Sequence, residues 1–566
     1  MIAATLVCLL IFGVVLGLSR PFVSRLGLGP AEELLAGAVL SLLGAWVLAW
    51  VVFTSGMPLA AYALVPVLSL ANLVLARRSL RPLWSDPEAR DLILGQATVT
   101  AWCVLCLAFV HSHSGGAWLG DWLEHWQRAH FFLRDWPADK LFFDIYEVPA
   151  RPPLGNVLTA VFMRLSAVDY AHYQLVMTVL CSLAFLPVGL LALRFGGRRA
   201  VRVAAAVLMV NPLFMQNATY PWTKLQAACF ILAGFYFFLR VRDQGAGSRT
   251  AGILCAVSLG CAVVTHYSAG PYVLALAAAW MALGRRSRWE GNFGRTTLLA
   301  ALAGACVLAP WFGWSIARYG VHGTFLSNTS VSMMQKAPGN PLVIMALNLR
   351  DSLIPPQVRG FAGTLFRQSS PWGALRDQSF LVYQLNPLLA LGCVGWVVVL
   401  WQAWRVSRAA GRREALFWAI FVVGTILLST ATYGDRDHYG TGHACLQSLV
   451  LLGLAFLASR WGRLGRAWKA ALILGWAVDF TLGVALQLAV EDFALDRWLT
   501  PTRSMAEIAG SYGVVAQANL SEKIIAQLAF FADILVTPPA LVVALLGALL
   551  CITVMRARRT PEETRP

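Results

Sequence analysis

Charge is what this chain lacks. Only 13% of its 566 residues are Asp, Glu, Lys or Arg, while 58% are hydrophobic and the mean hydropathy is +0.65. Soluble domains carry about a quarter charged residues, so a soluble enzyme or binding module is excluded and a polytopic membrane protein is expected. Acids are the scarcer sign, 28 against 45 Lys and Arg, for a net charge of +17. The basic residues fall in short runs between apolar segments, which is the positive-inside pattern rather than a nucleic-acid footprint, so no nucleic-acid partner is expected. A disulfide framework is also missing. The 11 cysteines lie in or at the ends of apolar segments, Cys8, Cys181, Cys306 and Cys551 among them. Cys103-x-x-Cys106 falls inside a spanning segment, where small buried hydrophobes are the reading rather than a redox or zinc motif. The N-terminus has no basic region ahead of its apolar residues 1–18, and Arg20 and Arg25 follow them. This predicts an uncleaved helix with its N-terminus outside.

What is present is a long series of apolar segments and 22 Trp residues, suited to interfacial anchoring. Segments near 31–53, 57–76 and 92–110 lead to a polar stretch at 116–156. Thereafter basic groups alternate with polar, aromatic turns. They are Arg194, Arg198, Arg199 and Arg202; Arg240 and Arg242; and Arg285, Arg286 and Arg288. Arg405, Arg408, Arg412 and Arg413 follow, then Arg460, Arg463, Arg466 and Lys469, and finally Arg556, Arg558 and Arg559. With these and the run at 77–81 in the cytoplasm, the chain reads as an all-α transmembrane bundle of about fifteen spans, N-terminus out and C-terminus in. Residues 154–168, interrupted by Arg164, read as a partly embedded helix of the outer loop. Three parts follow: N-terminal helices at 1–91, a membrane module at 92–320 with an outer loop at 112–170, and a C-terminal region at 321–566. The last carries outer loops at about 319–385 and 488–537. All 9 histidines fall on the outer side in this topology, which makes that face the chemical one.

The stretch 116–156 concentrates acids, histidines and aromatics. Read as a helix from Asp121, Asp121, Glu124, His125 and Arg128 share one face, with Trp122, Trp126, Ala129 and Leu133 on the other. That pattern suits a helix lying in the membrane interface with interfacial lipids as its surroundings. Asp121-x-x-Glu124 is equally a capping box. Arg151-Pro152-Pro153 ends the stretch in extended backbone, and Arg151 fits either phosphate contact or snorkelling to headgroups. Other outer turns offer Lys224 beside Tyr220 and Trp222, His266 in Thr265-His266-Tyr267-Ser268, and Arg436 and His443 in the glycine-rich turn 434–443. Glu124, His125, Asp144 and Tyr146 are candidate acceptor- or metal-binding groups. Asp121, Glu124 and His125 offer mixed oxygen and nitrogen donors to a divalent cation, and the chain has neither His-Glu-x-x-His nor a closed Cys/His spacing. Asp479 falls near the middle of a span and calls for a partner or a cavity.

Gly120-Asp121 and Arg151-Pro152-Pro153-Leu154, with the polar turn at 217–224, carry a family likeness. The layout resembles the integral-membrane GT-C glycosyltransferases, in particular the lipid A aminoarabinose transferase and protein O-mannosyltransferase branch. Those enzymes carry an acid early in the first outer loop, and the aminoarabinose type closes that loop with a basic residue and Pro-Pro-Leu. Family members often have Asp at the turn where this chain has Lys224, and begin their loop after one span rather than four. The resemblance implies a polyprenyl-phosphate-linked sugar as donor and a lipid or glycan acceptor, in the inner membrane of a bacterium. It implies inverting transfer with Asp121 as general base and Arg151 at the leaving phosphate. Lys224, His266, Arg436 and His443 are further candidates for the phosphate. A lipid-linked polysaccharide polymerase or ligase, leaning on outer Arg and His without the acid, is one alternative. A lipid or glycan transporter is another, favoured by midplane ionisable groups and internal repeats.

Overall fold

The computed structural model describes residues 2–108, 121–133, 136–142, 146–244, 249–284, 293–328, 340–355, 358, 371–392, 394–432 and 446–489. Within them the chain is helical, and the one β-bridge joins Phe142 to Tyr146. Among the described residues eight helices are long and apolar enough to cross a membrane, or up to ten if each of two bent pairs is one span. This all-α membrane bundle matches the class expected from composition. The count of fifteen spans is not reached among the described residues.

Helix boundaries follow local chemistry. The first helices are α1 (Ile2–Gly17), α2 (Arg20–Val23), α3 (Pro30–Thr54), α4 (Leu64–Leu75), α5 (Arg77–Ser85) and α6 (Pro87–Leu107). Pro30 and Pro87 stand in the first turns of α3 and α6, where the missing N–H costs nothing. Asp86 caps α6 by accepting from the Ala89 N–H at 2.8 Å. Next come α7 (Asp121–Phe131), α8 (Leu154–Leu165), α9 (Tyr170–Ser182) and α10 (Phe185–Gly196). Then follow α11 (Arg198–Val210), α12 (Pro212–Thr219), α13 (Lys224–Gln244), α14 (Arg249–Thr265), α15 (Gly270–Gly284) and α16 (Phe293–Phe325). The pair α11 and α12 is bent by 67°, with Asn211 capping the second half through the Phe214 N–H and Pro212 opening it.

Burial sorts the spans into centre and rim. The apolar window of Tyr170–Gly196 is 100% buried and that of Lys224–Asp243 is 94% buried, against 17% for Phe293–Phe325. The first two are therefore the core and the last faces lipid. Close approach inside the core depends on small residues: a Cβ on Gly95 would stand 2.4 Å from the Phe185 ring. The N-terminal helices belong to this same body. On α3, Trp50 packs against Phe132, Trp311 and Trp314, and Tyr62 donates to the Phe132 carbonyl at 3.0 Å.

The two ends of the bundle differ in chemistry. At one end the basic groups meet the acids: Arg20 with Glu33 at 2.7 Å, Arg240 with Glu32 at 3.1 Å, and Arg198 and Arg202 with Asp91 at 2.9 and 3.2 Å. Arg242 pairs with Glu414 at 3.0 Å, and Arg194 pairs with Asp243. These pairs bring basic groups from three separate stretches, at Arg20, Arg194–Arg202 and Arg240–Arg242, to one side. The described histidines, His125, His130, His172, His266 and His322, lie on segments at the other.

One place differs from the sequence reading, and another meets it. Within 319–385, expected as an outer loop, the chain forms helices Pro341–Leu353 and Pro371–Leu385, and the second enters the core. Its Gln384 donates to Gln216 Oε1 at 2.9 Å and accepts from Asn217 Nδ2 at 3.1 Å, while Gln447 donates to Asn217 Oδ1 at 2.9 Å. Carboxamides lower hydropathy, yet buried together they satisfy one another and bind the C-terminal half to the bent helix. Asp479 has a partner: the Tyr383 hydroxyl donates to Oδ1 at 3.1 Å.

With the basic end in the cytoplasm, as the positive-inside rule requires, a single cysteine at position 140 in a cysteine-free background is labelled by an impermeant thiol reagent from outside. One at position 78 is labelled only after the membrane is opened. Labelling of position 140 from the cytoplasmic side alone contradicts the topology.

Candidate functional site

The site assembles where α7, the loop after it and α8 meet the ends of α13 and α14 remote from the basic groups. The loop turns back on itself through paired 2.8 Å backbone hydrogen bonds between Phe142 and Tyr146. It then runs through Glu147, Val148, Pro149 and Ala150 to Arg151-Pro152-Pro153. The prolines deny the chain helical hydrogen bonds until α8 starts at Leu154.

One buried carboxylate ties these pieces together. Glu124 is 1% exposed. Its Oε1 accepts from Arg128 Nε at 2.8 Å, and its Oε2 lies 3.4 Å from the Arg151 guanidinium. Arg128, also buried, spends its other donors on the Val148 and Glu147 carbonyls, both at 3.0 Å, and lies 4.3 Å over the Phe142 ring. The Arg151 guanidinium sits 5.0 Å over the Tyr146 ring, and 21% of its side chain is exposed. Burial by itself would raise the Glu124 pKa, but Arg151 and Arg128 outweigh it and hold the carboxyl below its ordinary value of 4.5. Two guanidiniums thus meet one buried carboxylate.

The next residue on α7 is kept neutral. His125 is buried, with Nδ1 3.1 Å from Asn156 Oδ1, so the ring donates through Nδ1. Burial, helped by Arg151 and Arg128 against the opposing pull of Glu124, pushes its pKa down to about 4. The opposite face of α7 is buried as well: Trp126 meets Tyr170 and Tyr173 edge-on at 5.5 and 5.2 Å. The helix expected to lie in the interface is therefore clamped inside the protein. Its charged face turns inward because the arginines neutralise Glu124 there.

The neighbouring turns converge on this loop. A Cβ on Gly155 would stand 2.6 Å from Gln226 and 2.8 Å from Thr223, so only glycine lets α8 start this close to α13. Lys224, buried at the start of α13, holds its ammonium 3.9 Å over Trp222. Tyr267 donates to the Pro149 carbonyl at 3.0 Å and accepts from Trp311 at 3.2 Å. Burial raises this phenol to about 12, so it remains a donor. Beside it His266 Nδ1 accepts from the Ser268 backbone at 3.1 Å and from the Ser268 hydroxyl at 2.8 Å, which leaves the proton on Nε2.

Asp121 is the first residue of α7, and its side chain lies outside the described part of the structure. Asp144, Arg436 and His443 lie outside the described residues altogether. Glu124, His125, Tyr146 and Arg151 come together, and the segments bearing Lys224 and His266 abut them. Among the described residues no three His, Cys, Asp or Glu side chains gather as a metal site. Sequence reading placed Arg128 on the face of α7 without a role, and missed Asn156 and Tyr267. The spacing Glu124 to Arg128, one turn apart, was the available signal for the ion pair. Nothing local marks a tyrosine that reaches back 118 residues to Pro149.

Glu124→Gln leaves Arg128 buried without its counter-ion, and thermal unfolding should register a loss of about 3–5 kcal/mol. The pH dependence has a separate source. His125 takes its proton near 6.5 when unfolded and near 4 when folded, so the unfolded chain binds more protons between these values. Stability should therefore rise from pH 4 to 6.5 and level off above, by on the order of 3 kcal/mol from this residue. His125→Asn should remove that part of the rise, and an unchanged profile contradicts the assignment.

No protein-family model matches the chain, and no curated protein matches it. Among solved structures it is similar to ArnT from Cupriavidus metallidurans bound to undecaprenyl phosphate, at 16% identity over 82% of this chain and 73% of that one, with a TM-score of 0.47. The same protein in its apo state aligns at 16% identity over 82% of this chain and 74% of that one, with a TM-score of 0.45.

Proposed function

We propose that the chain is a membrane glycosyltransferase of the GT-C type. In this reading it moves a sugar from a polyprenyl-phosphate donor to an acceptor hydroxyl on the extracytoplasmic face, with inversion. The observation that carries the reading is the pair of guanidiniums held on buried Glu124, with Arg151 the partly exposed one. When the bond between the anomeric carbon and the donor phosphate breaks, the electron pair goes to the phosphate oxygen, and the polyprenyl phosphate leaves with one more negative charge. A guanidinium held in place on a ring and a carboxylate meets that charge without reorganising. Arg128 is spent on Glu124 and two carbonyls, so the task falls to Arg151. Lys224 and His266 Nε2 are the second-rank cationic and donor groups.

The acceptor hydroxyl attacks the anomeric carbon from the face opposite the phosphate and gives up its proton. Asp121 is the base in this scheme, since it heads α7 one turn before Glu124, whose own carboxylate is occupied by two arginines. His125 is ill suited to the proton transfer because its Nδ1 proton is committed to Asn156. Asn156 Nδ2 and Thr223 Oγ1 are buried without a hydrogen-bond partner among the described residues, and sugar hydroxyls are groups that would satisfy them.

Asp121→Asn keeps size and capping ability. A helix-cap role predicts normal stability and normal transfer, whereas the base role predicts normal stability with transfer down by about two orders of magnitude or more. Arg151→Ala should lower donor turnover by about 100-fold or more, and Arg151→Lys should recover part of it, because charge survives and the fork does not. The measurement is sugar transfer beside thermal stability for each variant. Full activity in folded Asp121→Asn and Arg151→Ala proteins overturns the scheme.

A further inference from the structure

Among the described residues, six arginines at the basic end are paired with acids, and α5 carries three that are not. Arg20, Arg194, Arg198, Arg202, Arg240 and Arg242 each meet a carboxylate. Arg77, Arg78 and Arg81 are exposed, and none of them forms an ion pair among the described residues. All three are on α5, which is bent 77° from the helical segment before it. If Leu59–Leu75 runs through the membrane, α5 therefore lies along its surface.

The geometry holds α5 in that position. Leu83 is buried and Leu80 half-buried on its inner side. Ser79, between the arginines, accepts from buried Arg20: its hydroxyl takes Nε at 2.8 Å and its carbonyl takes a terminal nitrogen. Arg20 in turn is paired with Glu33. The outer side then presents three guanidiniums with Trp84, 57% exposed, and on neighbouring α2 Phe22, 60% exposed, followed by exposed Arg25. Aromatic rings at headgroup depth beside unpaired arginines are the chemistry of an anionic lipid surface.

We propose that α5 and α2 form a docking surface for anionic phospholipid headgroups on the basic face of the bundle. This does not rest on the glycosyltransferase reading. The patch belongs to the N-terminal helices and stands at the end opposite the Glu124 site, so the two can fail independently.

The test uses the full chain in detergent, with native mass spectrometry of bound phosphatidylglycerol and phosphatidylcholine. Wild type should retain phosphatidylglycerol in preference. Each arginine near an anionic surface contributes roughly fivefold, so R77Q/R78Q/R81Q should weaken phosphatidylglycerol binding by about 100-fold. R249Q/R295Q/R463Q removes the same charge from dispersed exposed positions and should leave the preference intact. If the first triple variant does not fold, Arg81→Gln alone should show a roughly fivefold loss. Excess inorganic phosphate should not displace the lipid. Equal loss in both triple variants, no lipid preference in wild type, or displacement by phosphate overturns the proposal.

Discussion

A single carboxylate, Glu124, fixes the geometry of the end opposite the basic groups. A buried anion is costly to hold away from water, and it is tolerated here because two guanidiniums meet it from different parts of the chain. Arg128 comes from the same helix, one turn on, and carries the link further to the carbonyls of Glu147 and Val148. Arg151 comes from beyond the loop, where two prolines fix the backbone. The pairings therefore close the loop onto α7 and at the same time set Arg151 with one side toward the exterior. Arg128 is wholly buried and Arg151 is partly exposed, although both touch the same acid.

The rest of the bundle supports this arrangement by keeping its ends chemically distinct. Arginine–carboxylate pairs at the basic end join helices that are far apart in sequence, such as Arg198 and Arg202 with Asp91. Most of these pairs are partly solvated and contribute little to stability. Together they pair Glu32, Glu33, Asp91, Asp243 and Glu414, while Arg77, Arg78 and Arg81 on α5 pair with no acid among the described residues. At the other end the half-helix α12, α13 and α8 begin or end within reach of the loop. The carboxamides of Gln216, Asn217, Gln384 and Gln447 hold the C-terminal helices against them. A bent helix leaves backbone and polar side chains inside the membrane, and that is acceptable only where protein groups satisfy them.

Class and polarity were legible in the sequence because they depend on averages and on counts of Arg and Lys. The role of 116–156 was legible for a similar reason: acids and histidines are conspicuous against apolar flanks. Orientation was not. Heptad-like spacing put Glu124, His125 and Arg128 on one face, and a charged face normally turns to water. It turns inward here because Arg151, 27 residues past Glu124, supplies the second counter-charge. The same limit hid the helix Pro371–Leu385, whose Arg376 and Gln384 made it look like a connection although both are buried. Partners that come from distant segments, such as Tyr383 for Asp479 or Tyr267 for Pro149, leave no periodic trace.

The central claim is that the outer end transfers a sugar rather than moves a lipid or glycan across the membrane. The most direct measurement follows purified protein in sealed vesicles with a polyprenyl-phosphate sugar labelled in the sugar, together with candidate lipid and glycan acceptors. The account predicts label in the acceptor, one polyprenyl phosphate released per sugar transferred, and an inverted anomeric centre in the product. Label that crosses the bilayer still attached to its polyprenyl phosphate, with none in any acceptor, contradicts it.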